Sequence, residues 1–366
     1  MKILGLALYG PQAASHRVRL SQFKGVLGAR GIDLTIQSLL DDDYIKKKYA
    51  GKPVPAIAIL KNYWKRIVCL ATQQQYDAVI LYCELFPFAP AWLEKLILKK
   101  PYIYDLDDAF YLKYSHLHPA LTFWLQGKID SLMKGAAAIT AGNYHLTNYA
   151  KKYNNNCIYL PSTVDTNFYA PIPKKSPHNS PEFTVGWIGS PSTAPYLEQV
   201  VKPLALLGLE REVRLIVIGG IAPQIPNVQI IEQSWSQEKE LDLIQHFDIG
   251  IMPIPSTDWA KGKCAFKLIQ YMSCGIPVIA SAVGANLDAV PEQCGWLVRT
   301  EEEWFSAFNW AARNPGKCKE MGQLARKWTE KNYSMASTTP SFVNAIFSCV
   351  DPKNRSCDMS VGRHAD

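Results

Sequence analysis

Apolar positions along the chain fall into short continuous runs, separated by stretches in which they recur every three or four residues. Such runs, bounded by Gly, Pro, Asn or Asp, read as buried strands, and the stretches between them as amphipathic helices. The pattern predicts strands over 2–9, 78–82, 102–105, 137–140 and 158–160, then a second set over 184–188, 214–218, 228–231, 249–253 and 278–280. Two alternating β/α series imply an α/β protein of two parallel-sheet domains. "APIPKKSPHNSPE", residues 170–182, holds four prolines among polar residues and reads as a linker. The expected division is therefore a first domain over 1–169, the linker, and a second domain over 183–335. Residues 336–366 are expected to form a helix returning to the first domain, followed by a frayed polar tail.

Composition agrees with a globular chain. Of 366 residues, 48% are hydrophobic and 19% charged, enough apolar material for two cores. The nine cysteines are scattered with no C-x-x-C pair, which argues for reduced thiols in a cytoplasm-like compartment and against a disulfide framework or structural zinc. No apolar run reaches the length of a membrane span. The apolar start, Ile3 to Tyr9, is short for a signal sequence and fits a first strand followed by a Gly10-Pro11 loop. The seven histidines lack metal-ligand spacing, and no P-loop, G-x-G-x-x-G fingerprint or nucleophilic triad is present.

Charge changes the picture in one window. The net charge is +7, and between Tyr44 and Tyr76 seven lysines and arginines occur without a single acidic residue. Tyr49, Tyr63 and Trp64 are interleaved with them. Two readings stand: a solvated basic face, or a surface that lies on anionic lipid with its rings at the headgroup level. No recognition motif supports nucleic acid.

In open parallel sheets, ligands bind beyond the carboxyl ends of the strands, so the loops that follow strands carry the candidate chemistry. "WIGSPSTAPYL", residues 187–197, offers Gly189 for a tight turn, and Ser190, Ser192 and Thr193 beside backbone donors that suit a phosphate. "GKCAFKLIQYMSCGIPVIAS", residues 262–281, reads as a helix that begins near Lys261 and Lys263 and stops at Gly275. Phe266, Ile269 and Met272 recur at helical spacing, and Lys263, Lys267 and Gln270 are expected on one helix face. Cations at a positive helix end call for an anion, such as a diphosphate, unless they simply point to water. Gly10 follows the first strand and is expected to face the same cleft as a donor contact, and Arg17 and Arg19 lie early in the next helix, as phosphate or acceptor contacts or as solvated arginines. Trp235 is either a base-stacking platform or a core residue.

The ordered set "FTVGWIGS", "VRLIVIGG", "FDIGIMPIPSTDWAKGKCAFKLIQYMSCGIPVIASAVGANLDAV" and "CGWLV" resembles the donor-binding domain of family 4 glycosyltransferases. "YLPSTVDTNFYAP", residues 159–171, is similar to the strand and turn that lead out of the acceptor domain in that family. The resemblance implies the GT-B fold, two Rossmann-like domains facing across a cleft. It implies a retaining glycosyltransferase that takes a sugar from a nucleotide diphosphate sugar, with that donor as substrate and no metal or other cofactor. Polysaccharide biosynthesis on a glycan or lipid-linked acceptor, by a cytoplasmic or peripheral membrane protein, is the expected setting. Where the family commonly carries two glutamates, this chain has Gly262 and Gln270, so a ribose contact falls to Gln270 and the phosphate contact to Lys267. "PYIYDLDDA" aligns Asp107 and Asp108 with a family strand end. Asp107 is expected to take sugar hydroxyls or to stabilise positive charge at the anomeric carbon, the alternative being a carboxylate pair that caps the next segment. A D-x-D metal reading of Asp105 to Asp107 is set aside because cations already gather at the phosphate site. A nucleotide-sugar epimerase of the same fold and a non-catalytic binding protein remain as alternatives.

Overall fold

The computed structural model describes residues 1–115, 118, 123–172 and 182–351. The first sheet has strands β1 (Lys2–Tyr9), β2 (Asp33–Leu40), β3 (Ala78–Tyr82), β4 (Tyr102–Leu106), β5 (Ala138–Ala141) and β6 (Cys157–Tyr159). All pairings are parallel, in the order β2-β1-β3-β4-β5-β6, with Ile3 opposite Ala78 and Leu4 opposite Val79. The second sheet has β7 (Phe183–Ile188), β8 (Val213–Ile218), β9 (Gln229–Gln233), β10 (Ile249–Met252), β11 (Val278–Ser281) and β12 (Gly295–Val298). Its order is β12-β11-β10-β7-β8-β9, again parallel throughout. The α/β class and the two-domain GT-B architecture read from sequence are those of the structure.

Central strands are covered on both faces, which is why β3, β4, β5, β7 and β10 are buried along their whole length and show as apolar runs. The pattern missed β2 and β12. Both are edge strands of mixed exposure: polar residues interrupt the apolar signal of β2, and β12 is only four residues long and starts at a glycine. Strand order reverses between β1 and β3 and again between β7 and β10. Crevices open at those switch points, beyond the carboxyl ends of the strands.

Around the first sheet, α1 is a helical run of Ala14–His16, a π-turn Arg17–Ser21 and Phe23–Gly28. It is followed by α2 (Asp42–Tyr49), α3 (Ala56–Ala71), α4 (Ala91–Ile97), α5 (Lys128–Gly135) and α6 (Tyr144–Ala150). The second domain has α7 (Val201–Glu210), α8 (Gln237–Ile244), α9 (Asp258–Lys261), α10 (Phe266–Ser273), α11 (Glu301–Arg313) and α12 (Pro315–Asn332). The last helix, α13 (Met335–Val350), leaves that domain and buries Phe342, Ala345, Ile346 and Cys349 in the first core, with Phe342 edge-on to Phe23. The chain crosses between domains twice, and the two crossings touch: Val164 N donates to Tyr333 O at 2.9 Å, and Arg326 donates to the carbonyls of Thr166, Tyr169 and Ser273. Of the expected linker, residues 173–181 lie outside the described residues, as does the tail from 352.

One local expectation is corrected. Lys261, Lys263 and Lys267 do not share a helix start. Lys261 ends α9, Ala265 takes a left-handed conformation at φ 55°, and α10 begins only at Phe266. A non-glycine residue held there is uncommon and strained. The break leaves residues 262–265 free to reach the first domain.

Candidate active site

The two crevices face each other, and several side chains close the distance. Lys263 Nζ lies 3.4 Å from Asp108 Oδ2, an ion pair between the domains. Cys264 Sγ stands 2.9 Å from the Asp107 carbonyl oxygen. Asn143 caps α6 through Oδ1, while its Nδ2 donates to the carbonyls of Lys261 (3.1 Å) and Lys263 (2.9 Å). Gly262 packs so tightly that a Cβ there would sit 2.6 Å from Ala109 N. A side chain at 262 is therefore excluded by sterics in this arrangement.

On the donor side, Lys267 is the second residue of α10, and its ammonium reaches back over β7. Nζ lies 4.1 Å from the centroid of Trp187 and 3.3 Å from Thr193 Oγ1. No carboxylate pairs with it among the described residues. Desolvation, and then the nearby Lys263 charge, lower its pKa from 10.5 to about 7. Gly189 makes room for this ammonium, since a Cβ there would lie 2.5 Å from Nζ. Ser190 Oγ and Ser192 Oγ are 2.8 Å apart in the same loop, and Thr193 N and Ala194 N turn back on Ser190 O. The following turn, Ala194–Val200, is a 3₁₀ helix rather than an α-helix. Phe266 is half-buried at the start of α10.

Gln270 departs from its expected role. Its side chain is buried, and Nε2 donates to Glu240 Oε1 at 2.8 Å and approaches the Tyr169 hydroxyl at 3.1 Å. Glu240 also receives the Tyr169 hydroxyl and Trp235 Nε1. Gln270 thus organises a carboxylate cage instead of offering its amide to the cleft. Trp235 is neither in the core nor free: Arg17 lies over its ring at 4.5 Å from the centroid, reaching across from the first domain. The same guanidinium donates to the carbonyls of Pro11 (3.1 Å) and Gln12 (2.8 Å).

On the acceptor side, Gly10 is buried against Asp42, whose carboxylate also accepts from Gln12 N at 2.9 Å. Asp107 and Asp108 follow β4. Burial, opposed by the Arg19 charge and reinforced by Asp105 and Asp108, raises the Asp107 pKa to about 7, and its Oδ1 is buried without a hydrogen-bond partner. Burial also raises Asp108, with the Lys263 charge opposing. Arg19 is corrected from an acceptor contact to a structural residue. It is 2% exposed, forks onto Asp105 at 2.5 and 3.0 Å, and donates to Leu160 O at 2.7 Å. The π-turn rotates it inward, where a buried carboxylate would otherwise be unpaired.

The comparisons can be set against this geometry. Residues 182–314 match the family model described as Glycosyl transferases group 1. Over those residues the second domain is similar to the group 1 glycosyltransferases. HepE from Anabaena, solved with UDP, is similar over 95% of this chain and 100% of its own at 14% identity and a TM-score of 0.65. Sucrose-phosphate synthase from Thermosynechococcus elongatus matches over 95% and 99% at 13% identity and a TM-score of 0.68. A UDP-N-acetylglucosamine 2-epimerase, so titled as putative, from Listeria monocytogenes matches over 98% and 99% at 10% identity and a TM-score of 0.62. Likeness at these identities shows the fold. No curated protein matches the chain.

The site therefore gathers Lys263, Lys267, Gly189, Ser190, Ser192 and Thr193 on one wall and Asp107 and Asp108 on the other. Sequence reasoning missed Trp187, Glu240, Cys264 and Asn143. Only Asn143 gave a local signal, as an N-cap after an apolar strand.

Proposed function

We propose that the protein transfers a sugar from a nucleoside diphosphate sugar to a glycan or lipid-linked acceptor. Retention at the anomeric carbon and catalysis without a metal ion are part of this reading. The observation that carries it is the Lys267 ammonium, desolvated over Trp187 and unmatched by a carboxylate, beside the Gly189 to Thr193 loop. A diphosphate seated there meets the Lys267 ammonium, the Ser190, Ser192 and Thr193 hydroxyls and Lys263 close by. As the bond from the anomeric carbon to the diphosphate breaks, charge accumulates on the leaving oxygens, and these cations stabilise it. The acceptor hydroxyl attacks the same carbon and gives its proton to a departing phosphate oxygen. Asp107, aimed from the opposite wall, is suited to hold sugar hydroxyls or to favour positive charge at carbon.

HepE structures titled with UDP and with UDP-glucose support a UDP-sugar as the first donor to test. The basic window supports an acceptor met at the inner face of a membrane by a cytoplasmic protein; no helix among the described residues is long and apolar enough to cross one. The test is release of UDP from UDP-sugars with and without a panel of glycan and polyprenyl acceptors. Acceptor-dependent release with a glycosylated product supports transfer. A donor epimerised in the absence of acceptor would replace this reading with the epimerase.

A further inference from the structure

Helix α3 is turned inside out. Its inner face joins the core through Leu70 but otherwise buries polar groups, Asn62 and Arg66. Arg66 donates to Ala7 O at 2.5 Å, Leu85 O at 3.3 Å and Gln37 O at 3.2 Å, so it ties together the ends of β1 and β3 and the edge strand β2. Asn62 Nδ2 donates to Asp41 Oδ2 at 3.1 Å. The outer face carries Ile57, Leu60, Trp64, Ile67 and Val68, exposed by 74, 64, 65, 48 and 49%. Their spacing places them on one stripe of the helix. A surface helix ordinarily shows the opposite arrangement.

A second pair of exposed apolar side chains lies on α4. Gln73, just past α3, donates to Ile97 O at 3.0 Å and accepts from Lys99 N at 2.8 Å, so the carboxyl ends of the two helices meet. On α4, Trp92 near its start and Leu96 near its end are 60 and 59% exposed. Lys61 and Lys65 are exposed on α3 on either side of Trp64. Lys46, Lys47 and Lys48 end the neighbouring helix α2, and the window from Tyr44 to Tyr76 holds no carboxylate.

We propose that α3 and α4 form a membrane-insertion face, and that its occupant is an anionic lipid bilayer. Interleaved lysines and large apolar side chains suit the headgroup boundary, where ammonium groups reach lipid phosphates while the apolar groups enter the acyl region. A protein partner fits less well, because buried interface cores are depleted in lysine. A second copy would bring two basic faces together and repel, since the lysines and arginines of the 44–76 window have no carboxylate among them. The inference deepens the membrane-side acceptor proposed above and adds the mechanism of attachment: insertion through α3, with Arg66 joining that helix to β1, β2 and the segment after β3.

The test is flotation of the full chain with vesicles of phosphatidylcholine alone or mixed with phosphatidylglycerol, at low and high salt, alongside calorimetry with UDP-glucose. The chain is expected to float with the anionic vesicles. Leu60→Gln with Trp64→Gln is expected to lower partitioning about tenfold or more, since each buries a large apolar group. Lys61→Glu with Lys65→Glu is expected to lower it about fivefold or more per charge. Both variants should keep the parent's thermal unfolding and UDP-glucose affinity. Brominated lipid should quench fluorescence that Trp64→Phe removes. Absence of flotation at low salt overturns the proposal, as does flotation that ignores the Leu60 and Trp64 changes. A lipid-free dimer dissolved by Trp64→Gln also overturns it, in favour of a second copy. Flotation with no UDP-glucose binding would support the insertion face while removing the donor reading.

Discussion

Replacing Lys267 with methionine keeps an unbranched chain over Trp187 and removes only the charge. The gap between the ordinary 10.5 and about 7 corresponds to roughly 4 to 5 kcal/mol of disfavoured ammonium in the free protein. The folded pKa is depressed, so the unfolded chain binds more protons between pH 7 and 10.5, and stability in this window rises with pH. Lys267→Met should therefore raise the unfolding temperature of the free protein near pH 7, and the gain should shrink toward pH 10. Donor binding runs the other way. A charge-assisted contact to diphosphate contributes about 1.5 to 3 kcal/mol, so the variant should lose roughly ten- to a hundredfold in affinity. Bound diphosphate also pulls the lysine pKa up, so the wild type takes up a proton on binding above pH 7. Its affinity for UDP-glucose, whose diphosphate has no proton to lose in this range, should fall as pH rises from 7 to 9, by up to about tenfold per pH unit. The variant should be weak and flat. Calorimetric titration across that pH range decides the matter: unchanged affinity on Lys267→Met, or a flat wild-type profile, would refute the phosphate role.

Other tests address other parts of the site. Asp107→Asn should lower turnover by about a hundredfold or more, with a much smaller change in UDP-glucose affinity, measured by steady-state kinetics and calorimetry. Because its folded pKa is raised to about 7, Asp107 makes stability fall as pH rises from about 4 to 7, and the Asn variant should lack that decline in thermal melts. Arg19→Met should destabilise by about 3 to 5 kcal/mol in urea titration, because it leaves Asp105 buried and unpaired. Gly262→Glu should hold the domains apart, seen as a larger radius of gyration in solution scattering; an unchanged radius would mean the contact with Ala109 opens freely.

The fold was legible because buried parallel strands must be apolar throughout, and because Gly and Pro mark the loops between them. The edge strands β2 and β12 escaped since half their side chains meet water. In the candidate site, Lys267, Gly189 and Asp107 were legible as candidates because a cation near a helix start, a glycine after a strand and a carboxylate at a strand end each carry a local physical signal. Arg19 could not be assigned, because an arginine in a helix looks alike whether it faces water or a carboxylate 86 positions away. Asn143 and Cys264 escaped for the same reason: their partners lie 118 to 157 positions distant, across the domain boundary. Gln270 was misread because its amide is drawn into the cage around Glu240, a residue with no sequence link to it.

These distant contacts bear on how the site is switched. The donor wall is cationic and the acceptor wall anionic, and Lys263 with Asp108 is the ion pair that joins them across the cleft. Lys263 lowers the Lys267 pKa, while Asp108 raises that of Asp107. One ion pair therefore acts on the key group of each wall. On the proposed reading, a diphosphate bound at Lys267 competes with Asp108 for the Lys263 ammonium. Loosening the pair leaves the Asp108 charge less compensated, which pushes the neighbouring Asp107 further toward its protonated form. Donor occupancy is thus linked electrostatically to the acceptor wall, and by reciprocity the protonation of Asp107 affects how firmly the donor is held. With Gly262 against Ala109 and Cys264 against Asp107, the domains are close enough for that linkage to operate at contact distance.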